Sequence, residues 1–171
     1  RHPEHEALED TSETDPLEPR SLYSASKAGS DLIALSYFST YGLPVSVTRC
    51  TNNFGPFQFP EKAIPLFVTN LMDGRPLPLY GDGLQRRDWL HVADHAGGID
   101  FVLRHGVAGG IYNVAGGTEK TNRDTVALLL DRLGKPWSLV RTVEDRPGQD
   151  RRYAMDGSKL AALGWVPRVA F

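Results

Sequence analysis

From Ser21 onward the chain takes up a helical period. Leu22, Ala25, Ala28, Gly29, Leu32, Leu35 and Phe38 recur three and four residues apart. Ser21 suits the N-cap, because its hydroxyl can accept a first-turn N–H, and Gly42 suits the stop, because it turns left-handed without a Cβ penalty. The spacing predicts a helix over 21–41. The period then shortens to alternation in Pro44-Val-Ser-Val-Thr-Arg-Cys50, which predicts a strand. A helix followed this closely by a strand is one step of a parallel α/β sheet. Residues 51–62 are rich in Asn, Gly, Pro and Phe and are expected to be loop.

Beyond that loop the pattern predicts a helix over 64–73 stopped by Gly74, an extended piece at 77–80 and a turn at 81–83. A strand is expected at 89–92, a helix at 94–105 and a strand at 110–114. Val126, Leu129, Leu130 and Leu133 mark an amphipathic helix over 121–133 ended by Gly134 and Pro136. A strand at 138–143 and a short helix at 157–163 complete the series. Residues 1–20 are polar and acidic, with three prolines and no apolar period, and read as loop.

Composition narrows the function. The length of 171 residues, with 40% hydrophobic and 23% charged positions, supports one soluble globular unit. A net charge of −2 and a pI near 6.2 supply no bulk positive field for nucleic acid or anionic membrane. Cys50 is the single cysteine, so neither an intrachain disulfide nor a cysteine-rich metal framework is expected. No apolar run approaches the roughly 18–20 residues of a membrane span. The expectation is a cytoplasmic protein whose ligand is small.

The chemistry begins with Tyr23-Ser-Ala-Ser-Lys27, which sets a phenol and an ammonium at i and i+4 on one helical face. An adjacent ammonium favours phenolate, and such a tyrosine can take a proton from a hydroxyl. By itself the spacing also fits a surface helix. Asn52-Asn53 follow a strand at its C-terminal end, where α/β sheets bind ligands, but they equally fit a turn. Lys62, Arg87 and Arg146 are dispersed cations, each explicable as solvated charge. His91 and His95 share helical spacing without the following Glu or a third ligand, so no metal is expected. No Gly-x-Gly-x-x-Gly occurs, so this stretch has no turn built to receive a dinucleotide pyrophosphate.

Taken together these motifs resemble the extended short-chain dehydrogenases/reductases (the NAD-dependent epimerase/dehydratase family). The resemblance runs from Tyr23-Ser-Ala-Ser-Lys27 through Thr40-Tyr-Gly-Leu-Pro44 and Cys50-Thr-Asn-Asn-Phe-Gly-Pro-Phe-Gln-Phe-Pro-Glu-Lys62. It continues through Tyr80-Gly-Asp-Gly83, Arg87-Asp-Trp89, Asp94-His-Ala96 and Asp145-Arg-Pro-Gly-Gln-Asp-Arg-Arg-Tyr153. Within the family, this order is most similar to the dTDP-glucose 4,6-dehydratases.

The resemblance implies an α/β fold, the C-terminal half of a Rossmann-like NAD-binding fold with a smaller substrate-binding part. Residues 1–56 would end the NAD-binding part and 57–171 form mostly the substrate part, with about 89–116 returning to the Rossmann sheet. It implies NAD as cofactor, with Tyr23 and Lys27 catalytic and Tyr23, Lys27 and Asn53 at the cofactor. Asn52, Lys62, Ala63, Pro78, Leu79, Tyr80, Arg87 and Asn122 would hold the nucleotide sugar, joined by the loop Asp145, Arg146, Pro147, Gly148 and Gln149. The implied activity is dehydration of dTDP-glucose to dTDP-4-keto-6-deoxyglucose by a homodimer. A nucleotide-sugar epimerase or decarboxylase remains open, as does a silent piece that only binds nucleotide or a partner chain. Ala63, His91 and Gln149 depart from the residues more usual in the family. The glycine-rich turn and a Thr-Asp-Glu acid/base triple are expected upstream, so the stretch alone is expected to be inactive.

Overall fold

The computed structural model describes residues 10–145 and 148–171, and its first helix, α1 (Leu22–Tyr41), starts and stops where the caps predict. Ser21 Oγ accepts the Ser24 N–H at 3.1 Å, and Gly42, at φ 67°, donates its N–H to the Phe38 carbonyl. The alternating stretch after it becomes β1 (Val47–Cys50), shorter than 44–50. Pro44 has no N–H to contribute to a ladder. The Val45 N–H turns back to the Leu43 carbonyl, and Ser46 Oγ donates to the Val107 carbonyl. β1 lies parallel to β5 (Ile111–Val114), and the Arg49–Asp31 ion pair at 2.8 Å fastens it to α1.

The expected loop at 51–62 contains a strand. β2 (Asn52–Phe54) runs parallel to β4 (Arg86–His91), with Asn52 opposite Trp89 and Phe54 opposite His91. Asparagine and glycine signal a turn locally, but pairing with a distant buried strand overrides that signal. β4 also begins three residues ahead of the predicted 89, because its charged start is paired. Arg86 to Asp88 lie antiparallel to β6 (Glu119–Thr121), and Arg86 and Arg87 parallel to β8 (Arg152–Tyr153). Glu119 joins the three strands by bonding Arg86 and Arg152. Neither β6 nor β8 is long enough to show a period.

β3 (Leu77–Tyr80) pairs in parallel with β7 (Val140–Val143); the strand expected from 138 opens instead with a 3₁₀ turn at Trp137–Leu139. The remaining helices follow the predicted pattern: α2 (Ala63–Met72), α3 (Val92–His105), α4 (Asn122–Leu133) and α5 (Ser158–Ala162). Thr121 and Asp124 form a reciprocal capping box on α4, satisfying two otherwise orphaned N–H groups.

Apolar burial falls into two clusters. Phe67, Leu71, Leu77, Leu79, Val126 and Leu130 pack α2 and α4 on β3. Leu90, Val102, Tyr112, Val114 and Leu160 pack α3 and α5 on β4 and β5. Gly116 lets the following segment lie on β4, since a Cβ there would stand 1.9 Å from the Trp89 carbonyl oxygen. Asp88, buried beneath it, accepts the N–H groups of Gly116 and Thr118 at 2.8 and 2.7 Å. No residue of α1 is buried, and Leu32 and Ile33 are each 61% exposed. Among the described residues no helix is long and apolar enough to cross a membrane.

Candidate active site

Tyr23 and Lys27 lie on the first turns of α1, both exposed, on a helix whose small residues leave room beside them. Nothing stands within 4 Å of where a Cβ on Gly29 would lie. Beneath this helix, burial raises the Cys50 thiol above its ordinary pKa; a hydrogen bond from Asn53 and the Lys27 charge act in the opposite direction. Asn53 Nδ2 donates to Cys50 Sγ at 3.3 Å and to the Thr51 carbonyl at 3.1 Å. Those bonds fix the amide, so Oδ1 is the acceptor that remains. It is buried without a partner, as are Asn52 Oδ1, Gln58 Oε1 and the Trp89 indole N–H.

A buried acceptor without a donor costs about 1–3 kcal/mol, and native structures hold few of them. Here two such acceptors lie on β2 and a third on the loop after it, beyond the C-terminal end of β1, where parallel sheets receive ligands, while the unpartnered group on β4, the Trp89 indole, is a donor. The three acceptors suit a ligand carrying N–H and O–H donors, and the indole suits one that also carries an acceptor.

Tyr153, on β8 opposite Arg87, extends the site. Its hydroxyl donates to the Cys50 carbonyl at 3.2 Å. Burial pushes its pKa to about 12, helped by the nearby charges of Cys50, Asp150 and Tyr23, so it stays a phenol at neutral pH. Arg87 donates Nη1 to the Arg86 carbonyl and Nη2 to the Asp150 carbonyl, both at 2.7 Å. Burial lowers its pKa, opposed by Asp150, Asp145 and Tyr153. The two carbonyl bonds leave further guanidinium N–H groups for an anion.

Gln85 organises the other end. Its Nε2 donates to Asp145 Oδ2 at 2.8 Å and to the Tyr80 carbonyl at 3.3 Å, while its Oε1 accepts Asn122 Nδ2 at 3.3 Å. Tyr80, Asn122 and Asp145, named separately from sequence, thus meet at one side chain that sequence reasoning missed. Tyr153 was missed as well, although it closes a segment of evident interest. Neither has a local signal, because each acts through contacts with distant parts of the chain.

Other residues are less closely joined. Lys62 caps α2 and Ala63 begins it, both exposed, and no hydrogen bond or ion pair among the described residues joins either to Arg87. Pro78 is half-buried on β3; the Leu79 side chain belongs to the core. Gly148 is exposed at φ 72° and Gln149 is half-buried, while Arg146 and Pro147 lie outside the described residues. His91 caps α3, its Nδ1 accepting the Ala93 N–H at 3.2 Å. The clearest concavities are lined around Trp165, one with Ala115 and Met155, the other with Phe101 and Arg104. None of the candidate catalytic, cofactor or substrate residues lines either of them.

The chain matches the family model described as GDP-mannose 4,6 dehydratase over residues 5–171. It is 60% identical over 160 residues to a dTDP-glucose 4,6-dehydratase of Streptomyces antibioticus, covering 93% of this chain and 48% of that protein. A crystal structure of the dTDP-glucose 4,6-dehydratase DesIV from Streptomyces venezuelae, solved with NAD bound, superposes with a TM-score of 0.93 at 57% identity. That match covers 95% of this chain and 51% of the other. UDP-glucose 4-epimerase of Thermus thermophilus, complexed with NAD, superposes at 0.89 with 33% identity, over 96% of this chain and 55% of its own. The chain therefore spans about half the length of the relatives it matches. Its parallel strand pairs and covering helices are those of their Rossmann-like fold. On the match across residues 5–171 the chain belongs to the GDP-mannose 4,6-dehydratase family within the extended short-chain dehydrogenases/reductases.

Proposed function

We propose that this chain carries the tyrosine–lysine pair and the nucleotide-holding side of an NAD-dependent dTDP-glucose 4,6-dehydratase, which forms dTDP-4-keto-6-deoxyglucose. The observation that carries the reading is the exposed Tyr23–Lys27 pair of α1, with the Lys27 charge reaching the Cys50 thiol that Asn53 bonds and Asn53 Oδ1 left buried without a donor. NAD fits it, because a carboxamide and ribose hydroxyls supply the donors those acceptors lack. When bound, NAD would take up and return a hydride.

The residues of this chain then divide the work. Tyr23 removes the proton of the sugar C4 hydroxyl as that carbon is oxidised, and Lys27, one turn further along α1, would bond the ribose of the cofactor. Asn53 holds the cofactor and Asn52 the sugar nucleotide. Arg87, Lys62 and Arg146 would bind the diphosphate, which a guanidinium can bond bidentately. Pro78, Leu79 and Tyr80 lie along the base; Leu79 would contribute backbone, since its side chain is committed to the core. Ala63, Asn122, Asp145, Pro147, Gly148 and Gln149 complete the nucleotide end. The division into a cofactor part and a substrate part, with about 89–116 returning to the first, is supported by the two separate apolar clusters and the β1–β5 pairing. The exposed apolar side chains of α1 support a homodimer in the intact protein.

The test is to incubate the full-length protein with dTDP-glucose and identify the product. A 4-keto-6-deoxy sugar nucleotide is expected; a C4 epimer would favour the epimerase reading, which the Thermus thermophilus likeness keeps in view. Arg87→Ala in that protein should weaken dTDP binding roughly 10–100-fold, the loss of charged hydrogen bonds. It should also flatten the salt dependence of binding. Unchanged affinity by calorimetry would remove Arg87 from the site.

A further inference from the structure

We propose that Gln85 is a positioning residue for the nucleotide end of the site, one that sets where Asn122 and Asp145 stand without itself touching the ligand. The proposal rests on the reading above that Tyr80, Asn122 and Asp145 meet the nucleotide. Gln85 is 1% exposed, so it has no open face to present to a ligand. Both ends of its amide are committed instead. Nε2 donates to Asp145 Oδ2 and the Tyr80 carbonyl, and Oε1 accepts from Asn122 Nδ2. Its backbone carbonyl also accepts the Asn122 N–H at 3.0 Å, at the first residue of α4.

The three residues it joins lie on separate elements: the last residue of β3, the first of α4 and the segment after β7. A planar amide with one donor end and one acceptor end orients both neighbours at once, which a carboxylate or an apolar side chain cannot do. The surrounding turn is shaped for this grip. Gly81, at φ 56°, leaves Asp145 the space that a Cβ would occupy, 3.0 Å from Oδ2. On the far side of the same segment Arg151 holds Asp82 through two bonds of 2.8 and 2.9 Å. The β3–β4 turn thus fastens the connection from Asp145 to Arg151 at both ends.

The substitution that reads this out is Gln85→Glu in the full-length protein, because it keeps the shape and sets a carboxylate against Asp145. KM for dTDP-glucose should rise roughly 10-fold or more while kcat stays within about threefold, since what is lost is ground-state placement of the nucleotide. The NAD content should not change. Asp145→Asn introduced into the Gln85→Glu background restores a donor–acceptor pair with its polarity reversed, so the double variant should raise KM by clearly less than the product of the two single effects. A double-mutant cycle in which the two effects simply multiply overturns the proposal. So does a fall in kcat or in thermal midpoint that tracks the rise in KM, which marks a general structural role. Gln85→Met, similar in volume and uncharged, must give the same KM-against-kcat split, and provides the measurement if the glutamate variant does not fold. Asn122→Ala and Arg87→Ala separate the two layers. If both leave dTDP affinity intact the nucleotide-site reading itself fails; if both weaken it and the Gln85 variants do not, only the present proposal fails.

Discussion

Tyr23→Phe in the full-length protein should lower kcat roughly 10²–10⁴-fold, the range for removal of a general acid–base group, with NAD still bound and the thermal midpoint unchanged. The structural basis for expecting so selective an effect is that the Tyr23 side chain is 74% exposed. Its hydroxyl fills no core and closes no hydrogen bond among the described side-chain bonds, so its removal costs the fold little. The neighbouring phenol cannot substitute. Tyr153 is held near pKa 12 by burial and donates a hydrogen bond to the Cys50 carbonyl, which leaves it protonated when a base is needed. A phenylalanine variant that turns over at near the parent rate, correctly folded, would strip Tyr23 of the role.

The second large effect concerns the 171-residue chain on its own, which should show no turnover of dTDP-glucose and bind NAD weakly or not at all. Its sequence contains no glycine-rich turn to bring a helix N-terminus against the pyrophosphate. Its Tyr23 and Lys27 side chains stand exposed on α1, so a ligand bound against them would stay largely in water, where each polar contact is worth less. The same openness predicts association. Leu22 at 93% exposure and Tyr41 at 74%, with Leu32 and Ile33 between them, place apolar surface along the whole of α1. Gel filtration should therefore show species larger than the 18.9 kDa monomer. Tight NAD binding by a monodisperse monomer of this chain would mean that the cofactor site has been misplaced.

What could be read from sequence was whatever has a local cause. α1 was legible at both ends because a hydroxyl cap, a long apolar period and a left-handed glycine all lie within the segment they define, and α4 through its apolar period and its closing glycine. β2, β6 and β8 were not, because two or three residues carry no period and each strand exists only through its pairing with β4. The start of β4 was hidden for the same reason, since Arg86 finds its partner in Glu119 and Arg87 in the Asp150 carbonyl, both distant in sequence. The candidate site divides in the same way. Tyr23, Lys27, Asn52 and Asn53 could be singled out from short-range spacing. Gln85 and Tyr153 could not, since the bonds that give them meaning reach across 60 and 103 residues. A buried glutamine in a turn-like Gly-Asp-Gly-Leu-Gln run looks, in one dimension, like any polar loop residue.

The most direct test of the account is to follow the hydrogen on C4 of the sugar. Full-length protein containing this chain should be given dTDP-glucose deuterated at C4, and the product examined by NMR. A 4,6-dehydratase predicts a 4-keto-6-deoxy sugar nucleotide with deuterium on C6, and with no net consumption of NAD. Deuterium retained on C4 of an epimerised sugar, or no conversion by protein that binds both NAD and dTDP, would contradict it.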